Sequence, residues 1–389
     1  MKIEFDKLGQ NQLDNLKSAL LAYENKNPVS SESPAVLYIE LTQNCIGHCA
    51  FCKGKDYVYD PQLNMSREII EAILENYAPH AVMIDLRGQG ESLMLPDFEE
   101  HLARFSQWGA KLQLYTTLGC GTKKTLQSLV DHDVFISLSL DAAEKELYES
   151  LRPGINFDTV MDNLGFVCSA IEKKWGTLKD KIRIAMIPLQ GKNLDQVEKI
   201  FGIAERFRIP DIRVGPLHSS ANDPNLLKFH RKQALSTLRK CVELSRKLKI
   251  DLQFASSPLK SLLIKEKTFD CCCHPWLFAF INYQGDIMVC DHLIAPFQNK
   301  YRIGNVRDDK KLAWNGPRAR QQRLAHIKKN KDLLSPCLNC YKNLFRYADH
   351  EHEIDPRFKK WLVTADEMEG CLRSSGGISG LFRLMGKNR

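Results

Sequence analysis

No run of this 389-residue chain is apolar for long enough to cross a bilayer. The N-terminus also lacks the charged-then-apolar pattern of a secretory signal. These absences predict a cytoplasmic protein with no membrane partner. No internal repeat or low-complexity tract interrupts the chain, and a charged share of 26% excludes wholesale disorder. Basic residues are in excess, giving a formal charge of +8. They are scattered, with small concentrations such as Lys328-Lys329-Asn330-Lys331 and Gly386-Lys387-Asn388-Arg389. Neither a nucleic-acid motif nor basic–aromatic interleaving accompanies them, so the expectation is a solvated surface and no nucleic-acid partner. The excess would suit an anionic substrate but only weakly favours one.

Cysteine, by contrast, is plentiful. Thirteen in a cytosolic chain argue for metal or redox chemistry in a reducing setting, not for disulfides. Three of them form a C-x3-C-x2-C in the run Leu41-Thr42-Gln43-Asn44-Cys45-Ile46-Gly47-His48-Cys49-Ala50-Phe51-Cys52. A fourth is missing nearby. Structural zinc wants four ligands, usually as two pairs. Three thiolates on a cubic iron–sulfur cluster leave one iron open to a small molecule. The triplet alone is also compatible with a chance cluster or an incomplete zinc knuckle.

The length predicts two domains, one large and one small. Residues 1–35 hold an amphipathic helix with Leu13, Leu16, Leu20 and Tyr23 in one stripe, then a linker at Asn27–Pro34. From residue 36 strand and helix patterns alternate. Strands are predicted at Val36–Leu41, Val82–Leu86, Leu112–Thr116, Val134–Leu138, Ile182–Ile187 and Asp211–Val214, and Ser66 is placed to cap the first intervening helix. Six such units predict an α/β fold, a TIM-like partial (βα)6 barrel of parallel strands over 36–255. Its reactive loops belong at the C-terminal strand ends, where Cys45–Cys52 falls. After a long helical stretch, Asn225–Leu248, the pattern changes. A hairpin over Leu277–Val289, a helix near Lys310–Ile327 and several cysteines suggest a small α+β domain over 256–350. A helix near Pro356–Met368 and a tail complete 351–389.

Three further motifs accompany the triplet. Gly88-Gln89-Gly90-Glu91 follows the second strand, Ser139-Leu140-Asp141 ends the fourth, and Arg152 stands in Leu151-Arg152-Pro153-Gly154. Together they resemble the radical SAM superfamily. That resemblance implies that Cys45, Cys49 and Cys52 hold a [4Fe–4S] cluster whose open iron chelates the amino and carboxylate groups of S-adenosylmethionine. It implies that Gly90 admits close backbone approach and Glu91 accepts from the ammonium. Ser139 and Asp141 would meet the ribose, Arg152 the carboxylate, and the Phe51 backbone the adenine. One departure is Thr117-Leu118-Gly119, where relatives commonly carry Thr-Asn-Gly.

Downstream, Cys272-x2-Pro275-Trp276 leads into the hairpin, which ends at Cys290, and Cys337-Leu338-Asn339-Cys340 follows. This resembles the SPASM/Twitch extension of radical SAM enzymes. Four thiolates, Cys272, Cys290, Cys337 and Cys340, would close an auxiliary [4Fe–4S] cluster, with zinc as the alternative that spacing leaves open. The full SPASM pattern continues past its C-x2-C as C-x5-C-x3-C, but Arg346 and His350 occupy those positions, which implies one auxiliary cluster, the Twitch form. Cys271 and Cys273 flank Cys272 and leave the register open. Cys120 is expected at the barrel mouth, with core packing its default role, as for Cys168 and Cys241.

The resemblance implies reductive cleavage of S-adenosylmethionine to a 5′-deoxyadenosyl radical and hydrogen abstraction from an unactivated carbon. The reductant would be a flavodoxin or ferredoxin. The Twitch form is similar to aminocyclitol dehydrogenases and some sugar epimerases, so oxidation or epimerisation of a sugar-like small molecule ranks first. A maturase cross-linking a ribosomal peptide is the alternative, although the N-terminal arm is expected to be too short for a leader-binding domain. A non-catalytic two-cluster electron carrier ranks last, because it needs no clamp for S-adenosylmethionine. His218, Asp291, His292 and His350 are candidate bases without ranking.

Overall fold

Apolar residues recur at every second position through the strands, and that period separates two faces. The computed structural model describes residues 3–49, 51–52, 59–189, 191–216, 223–254, 271–293, 298–330, 332–334 and 337. Within it β1 (Val36–Ile39), β2 (Met83–Asp85), β3 (Lys111–Thr116), β4 (Phe135–Ser139), β5 (Ile182–Leu189) and β6 (Asp211–Pro216) run parallel and adjacent. On one face Leu37, Ile84 and Leu112 are register partners, as are Leu138, Ile184 and Ile212, and all are buried. The other face is mixed: beside Val36, Met83 and Phe135 it carries polar rows, in which Tyr38, Asp85 and Gln113 align, and so do Tyr115, Ser137 and Arg183.

The helices α2 (Arg67–Asn76), α3 (Phe98–Ser106), α4 (Lys123–Asp131), α5 (Lys145–Leu151), α6 (Phe157–Trp175) and α7 (Val197–Arg206) fall between successive strands; α1 (Gln10–Glu24) precedes them and α8 (Arg231–Leu248) follows. Each crossover helix can bury only one stripe; on α2 it is Ile69, Ile70, Ile73 and Leu74. Side-chain caps fix the starts. Ser66 Oγ accepts from the Ile69 N–H, Thr122 from Thr125, and Asn156 from Thr159.

All six predicted strands are present, and the sheet reaches further. Its ten strands run β10-β9-β8-β1-β2-β3-β4-β5-β6-β7. β7 (Asp251–Phe254), absent from the sequence reading, extends the sheet beyond β6. The predicted hairpin, β8 (Phe278–Ile281) and β9 (Asp286–Met288), is not separate: β8 pairs in parallel with β1, and β10 (Gly304–Asn305) closes that side. The sheet is therefore mostly parallel and open, with β7 and β10 as its edges among the described residues. A small C-terminal unit follows, with α9 (His274–Leu277), α10 (Gln298–Tyr301), α11 (Lys310–Asn315) and α12 (Pro317–Ile327). The helix expected over 310–327 is split at Gly316, because Pro317 cannot donate and opens a new helix at its first position. The helix expected near Pro356–Met368 lies outside the described residues.

The expected linker is a hydrogen-bonded clasp, buried at Ser31 and Ser33. Asn27–Ser33 has few apolar residues, but its polar groups are used: Trp276 Nε1 donates to Asn27 O (2.6 Å), Ser30 Oγ to Trp276 O (2.8 Å), and Asn315 Nδ2 to Ser31 O (2.8 Å). Arg323 secures it. The side chain is fully buried, stacks on Trp314, and donates to Pro275 O, Pro28 O, Asn315 Oδ1 and Trp314 O at 2.7 to 3.2 Å. Arg323→Ala strands these acceptors in the interior and is expected to cost about 3 kcal/mol in denaturant unfolding. Lys199→Ala, at an exposed ion pair with Glu144, is expected to stay within about 0.5 kcal/mol of the parent.

Candidate cofactor and cluster sites

β1 delivers the chain to the cysteine loop, and Asn44 fixes the turn. Its buried amide donates to Asp60 O and Asn64 Oδ1 (both 2.9 Å) and accepts from the Asp60 N–H (2.8 Å). The loop after β2 docks on this turn. The Glu91 N–H donates to Asn44 O at 2.8 Å, and a Cβ at Gly90 would collide with the backbone oxygens of Thr42 and Asn44. Only glycine allows that approach.

Glu91 is buried, and Thr117 at the end of β3 aims it. The Thr117 N–H and Oγ1–H donate to Glu91 Oε2 at 2.9 and 3.0 Å. Oε1 is equally buried and has no hydrogen-bond partner. Burial, only partly offset by these bonds, raises the carboxyl pKa. An ammonium brought to Oε1 would supply the missing donor and the missing charge. Leu118 follows with φ at +55°, a conformation in which asparagine is better tolerated than leucine, and its carbonyl accepts from Asn163 Nδ2 at 2.8 Å. Thr117-Leu118-Gly119 thus makes a left-handed turn, held through the Leu118 carbonyl.

The loop after α5 closes the site. Pro153 O accepts from the His48 N–H at 2.7 Å, tying the turn that carries Arg152 to the cysteine loop. Arg152 and Asp141 form a buried ion pair, Arg152 Nη1 lies 3.5 Å from Cys49 Sγ, and the guanidinium sits 5.3 Å from the Phe51 ring centroid. Burial opposes the arginine's charge, but Asp141 and Cys49 outweigh it and its pKa rises. Burial also raises Asp141, with Arg152 acting against it. Thus Cys49, Phe51, Asp141 and Arg152 come together, and Ser139 ends β4 half-buried beside Ala185. Arg152 was expected at the cofactor carboxylate; here it is already engaged by Asp141, a partnership that the sequence reading did not anticipate.

Burial, then the Glu91 carboxylate, pushes Cys45 up to about 12, and the Cys49 and Cys52 thiols each add to the shift. Burial likewise raises Cys49, eased by Arg152. The raised Cys45 and Cys49 thiols ionise readily only beside added positive charge, which iron provides. The donor set and the orphaned Glu91 oxygen therefore fit a cluster with S-adenosylmethionine. Cys120 also lies here, its thiol raised by burial and then by Glu91 and Cys45. Cys168 and Cys241 are buried in the core.

At the hairpin, ligand atoms of His274, Cys290 and Asp291 lie within 4.8 Å of one another. His326 Nε2 of α12 is 3.9 Å from Cys337 Sγ. Cys271 and Cys272 are half-buried, while Cys273 is buried at the start of α9. Cys340, His218 and His350 lie outside the described residues. Sequence reasoning missed both histidines, since neither stands at a recognisable ligand spacing; only the adjacency Cys273-His274-Pro275-Trp276 hinted at the first.

The radical SAM superfamily model matches residues 39–204, from β1 into α7. The chain therefore carries a radical SAM superfamily domain. An iron–sulfur cluster-binding domain, SPASM, matches residues 271–341. S-adenosylmethionine and [4Fe–4S] clusters are the cofactors of these two domains. No curated protein sequence matches. Among solved structures, the chain is similar to SuiB of Streptococcus suis bound to S-adenosylmethionine, with 16% identity over 80% of this chain and 72% of that one, TM-score 0.59. SuiB bound to precursor peptide SuiA gives 16% over 80% and 71%, TM-score 0.57. anSMEcpe with bound AdoMet gives 15% over 91% and 98%, TM-score 0.57. At these identities the likeness establishes the fold. Among the described residues no helix is long and apolar enough to cross a membrane.

Glu91→Gln is expected to weaken S-adenosylmethionine binding at least about tenfold, and Thr117→Val, which loosens Glu91, by a smaller factor. Both should keep the parent's iron content. Equilibrium binding with iron analysis checks this; unchanged affinity in Glu91→Gln would contradict the assignment of its buried oxygen.

Proposed function

We propose that Cys45, Cys49 and Cys52 hold the open cluster and that Phe51, Gly90, Glu91, Ser139, Asp141 and Arg152 surround S-adenosylmethionine. We propose further that the enzyme oxidises a hydroxyl-bearing carbon of a sugar- or aminocyclitol-like molecule. When bound, the reduced cluster and S-adenosylmethionine supply hydrogen-atom abstraction from an unactivated carbon. Cys272, Cys290, Cys337 and Cys340 are assigned to one closed auxiliary cluster, and a flavodoxin- or ferredoxin-like protein to the role of electron donor. The functional units are residues 36–255 and 256–350, although one sheet runs through both.

The observation that carries the substrate class is the set of polar rows on the sheet face continuous with the cysteine loop. Arg87 is ion-paired with Asp85 and held between the rings of Tyr38 and Tyr115, 4.3 Å from each centroid. Arg183 Nη2 and Arg213 Nη1 donate to the Tyr115 hydroxyl at 3.0 and 2.9 Å, and Arg183 Nε donates to Ser137 Oγ at 2.8 Å. Donors and acceptors fixed on rigid strands suit a small molecule with several hydroxyls better than an apolar one. Their role is to orient one carbon and to exclude solvent from it.

A second reading, maturation of a peptide, is supported by the likeness to SuiB, a protein whose structure holds a precursor peptide. Turnover in deuterated water separates the outcomes. Oxidation is expected to give a product two hydrogens lighter than its substrate, with no deuterium at the attacked carbon. Deuterium at one carbon of a product with otherwise unchanged formula would indicate epimerisation instead, and a lighter peptide would support the second reading.

A further inference from the structure

The auxiliary site contains more than thiols. His326 sits on the last turn of α12, 4% exposed, one turn after the clasp residue Arg323. The chain then turns back: the Asn330 N–H donates to Ala325 O (2.9 Å) and the Leu334 N–H to Asn330 O (3.1 Å), which brings Cys337 beneath the helix. His326 Nε2 ends 3.9 Å from Cys337 Sγ, within reach for a donor to a large sulfur. On the opposite side of the ring, Nδ1 is buried with no hydrogen-bond partner.

That asymmetry fixes the tautomer. A neutral imidazole carries one N–H. Placing it on Nδ1 would bury an orphaned donor and turn a lone pair toward the sulfur. Placing it on Nε2 directs the donor at the Cys337 sulfur, the acceptor in reach among the described residues. His274, whose ligand atom lies within 4.8 Å of Cys290 Sγ, sets a second imidazole beside another of the proposed ligand thiols.

We propose that His326 is a positioning residue whose Nε2–H donates to the Cys337 sulfur and raises the reduction potential of the auxiliary cluster. The inference rests on Cys337 being a ligand of that cluster. A donor to a ligand sulfur stabilises the more negative, reduced form, and hydrogen bonds of this kind are among the terms that set cluster potentials. A raised potential suits the auxiliary site to receiving an electron.

The test uses the full chain with Cys45, Cys49 and Cys52 all changed to Ala, reconstituted anaerobically, so that the auxiliary cluster is observed alone. Its midpoint potential is measured by spectroscopic redox titration in that parent, with His326→Leu and with His326→Gln. The expected result is a lower potential in His326→Leu at equal iron content, with part of the shift recovered in His326→Gln, which keeps an N–H. Equal potentials in all three would overturn the inference while leaving the cluster assignment intact. A parent that binds no iron would overturn the cluster assignment and the inference with it. Should His326→Leu lose its iron, pulsed EPR of the reduced, 15N-histidine-labelled parent decides. Loss of one nitrogen coupling in His326→Gln, with any coupling from His274 retained, supports the inference, and a nitrogen spectrum unchanged from the parent's overturns it.

Discussion

The approach of Gly90 to the Thr42–Asn44 backbone is the constraint on which the site depends. A side chain at this position would push two loops apart. With glycine there, the Glu91 N–H reaches Asn44 O, the carboxylate reaches Thr117, and the ends of β1, β2 and β3 meet at one point. Asn44 holds the other side of the contact through Asp60 and Asn64. The cysteine loop is thus positioned by backbone contacts that require no cofactor, while the carboxylate it meets keeps one oxygen unsatisfied. A preformed pocket with a deliberate vacancy in its hydrogen bonding is suited to binding a charged amine.

The division of the sheet into an apolar face and a mixed face with polar rows extends that arrangement. Buried aliphatic rows give rigidity, and the opposite face carries arginines, tyrosines and carboxylates in register across five strands. Because β8 pairs with β1, the hairpin that ends at Cys290 belongs to the same rigid sheet as the Cys45 loop. The two cysteine groups are therefore joined through adjacent strands, and the Asn27–Ser33 clasp with Arg323 braces the connection from outside. Cys45 and Cys290, both proposed as ligands, thus stand on loops of one continuous sheet.

Much of this was legible in the residues. The Val36–Leu41 and Ile182–Ile187 runs announce strands by composition, and the three-cysteine spacing announces an open coordination site by what it omits. β7 was hidden because Asp-Leu-Gln-Phe is short and has only two apolar positions. The hairpin's attachment to β1 was hidden because a strand's pattern records which faces are buried, not which edge pairs; in hindsight Phe278-Ala279-Phe280-Ile281, buried on both faces, was the clue. The clasp looked like a linker because serine, asparagine and proline serve both loops and hydrogen-bonded straps. The pairing of Asp141 with Arg152 and the placement of His326 by Cys337 depend on tertiary contact alone, so no local spacing could signal them.

The central claim is that one of two clusters has an iron open to S-adenosylmethionine while the other is closed. EPR of the reduced, fully reconstituted protein, recorded with and without S-adenosylmethionine, tests it most directly. The account predicts two overlapping cluster signals, one of which changes on addition of S-adenosylmethionine while the other stays the same. Two signals that both ignore S-adenosylmethionine would contradict it.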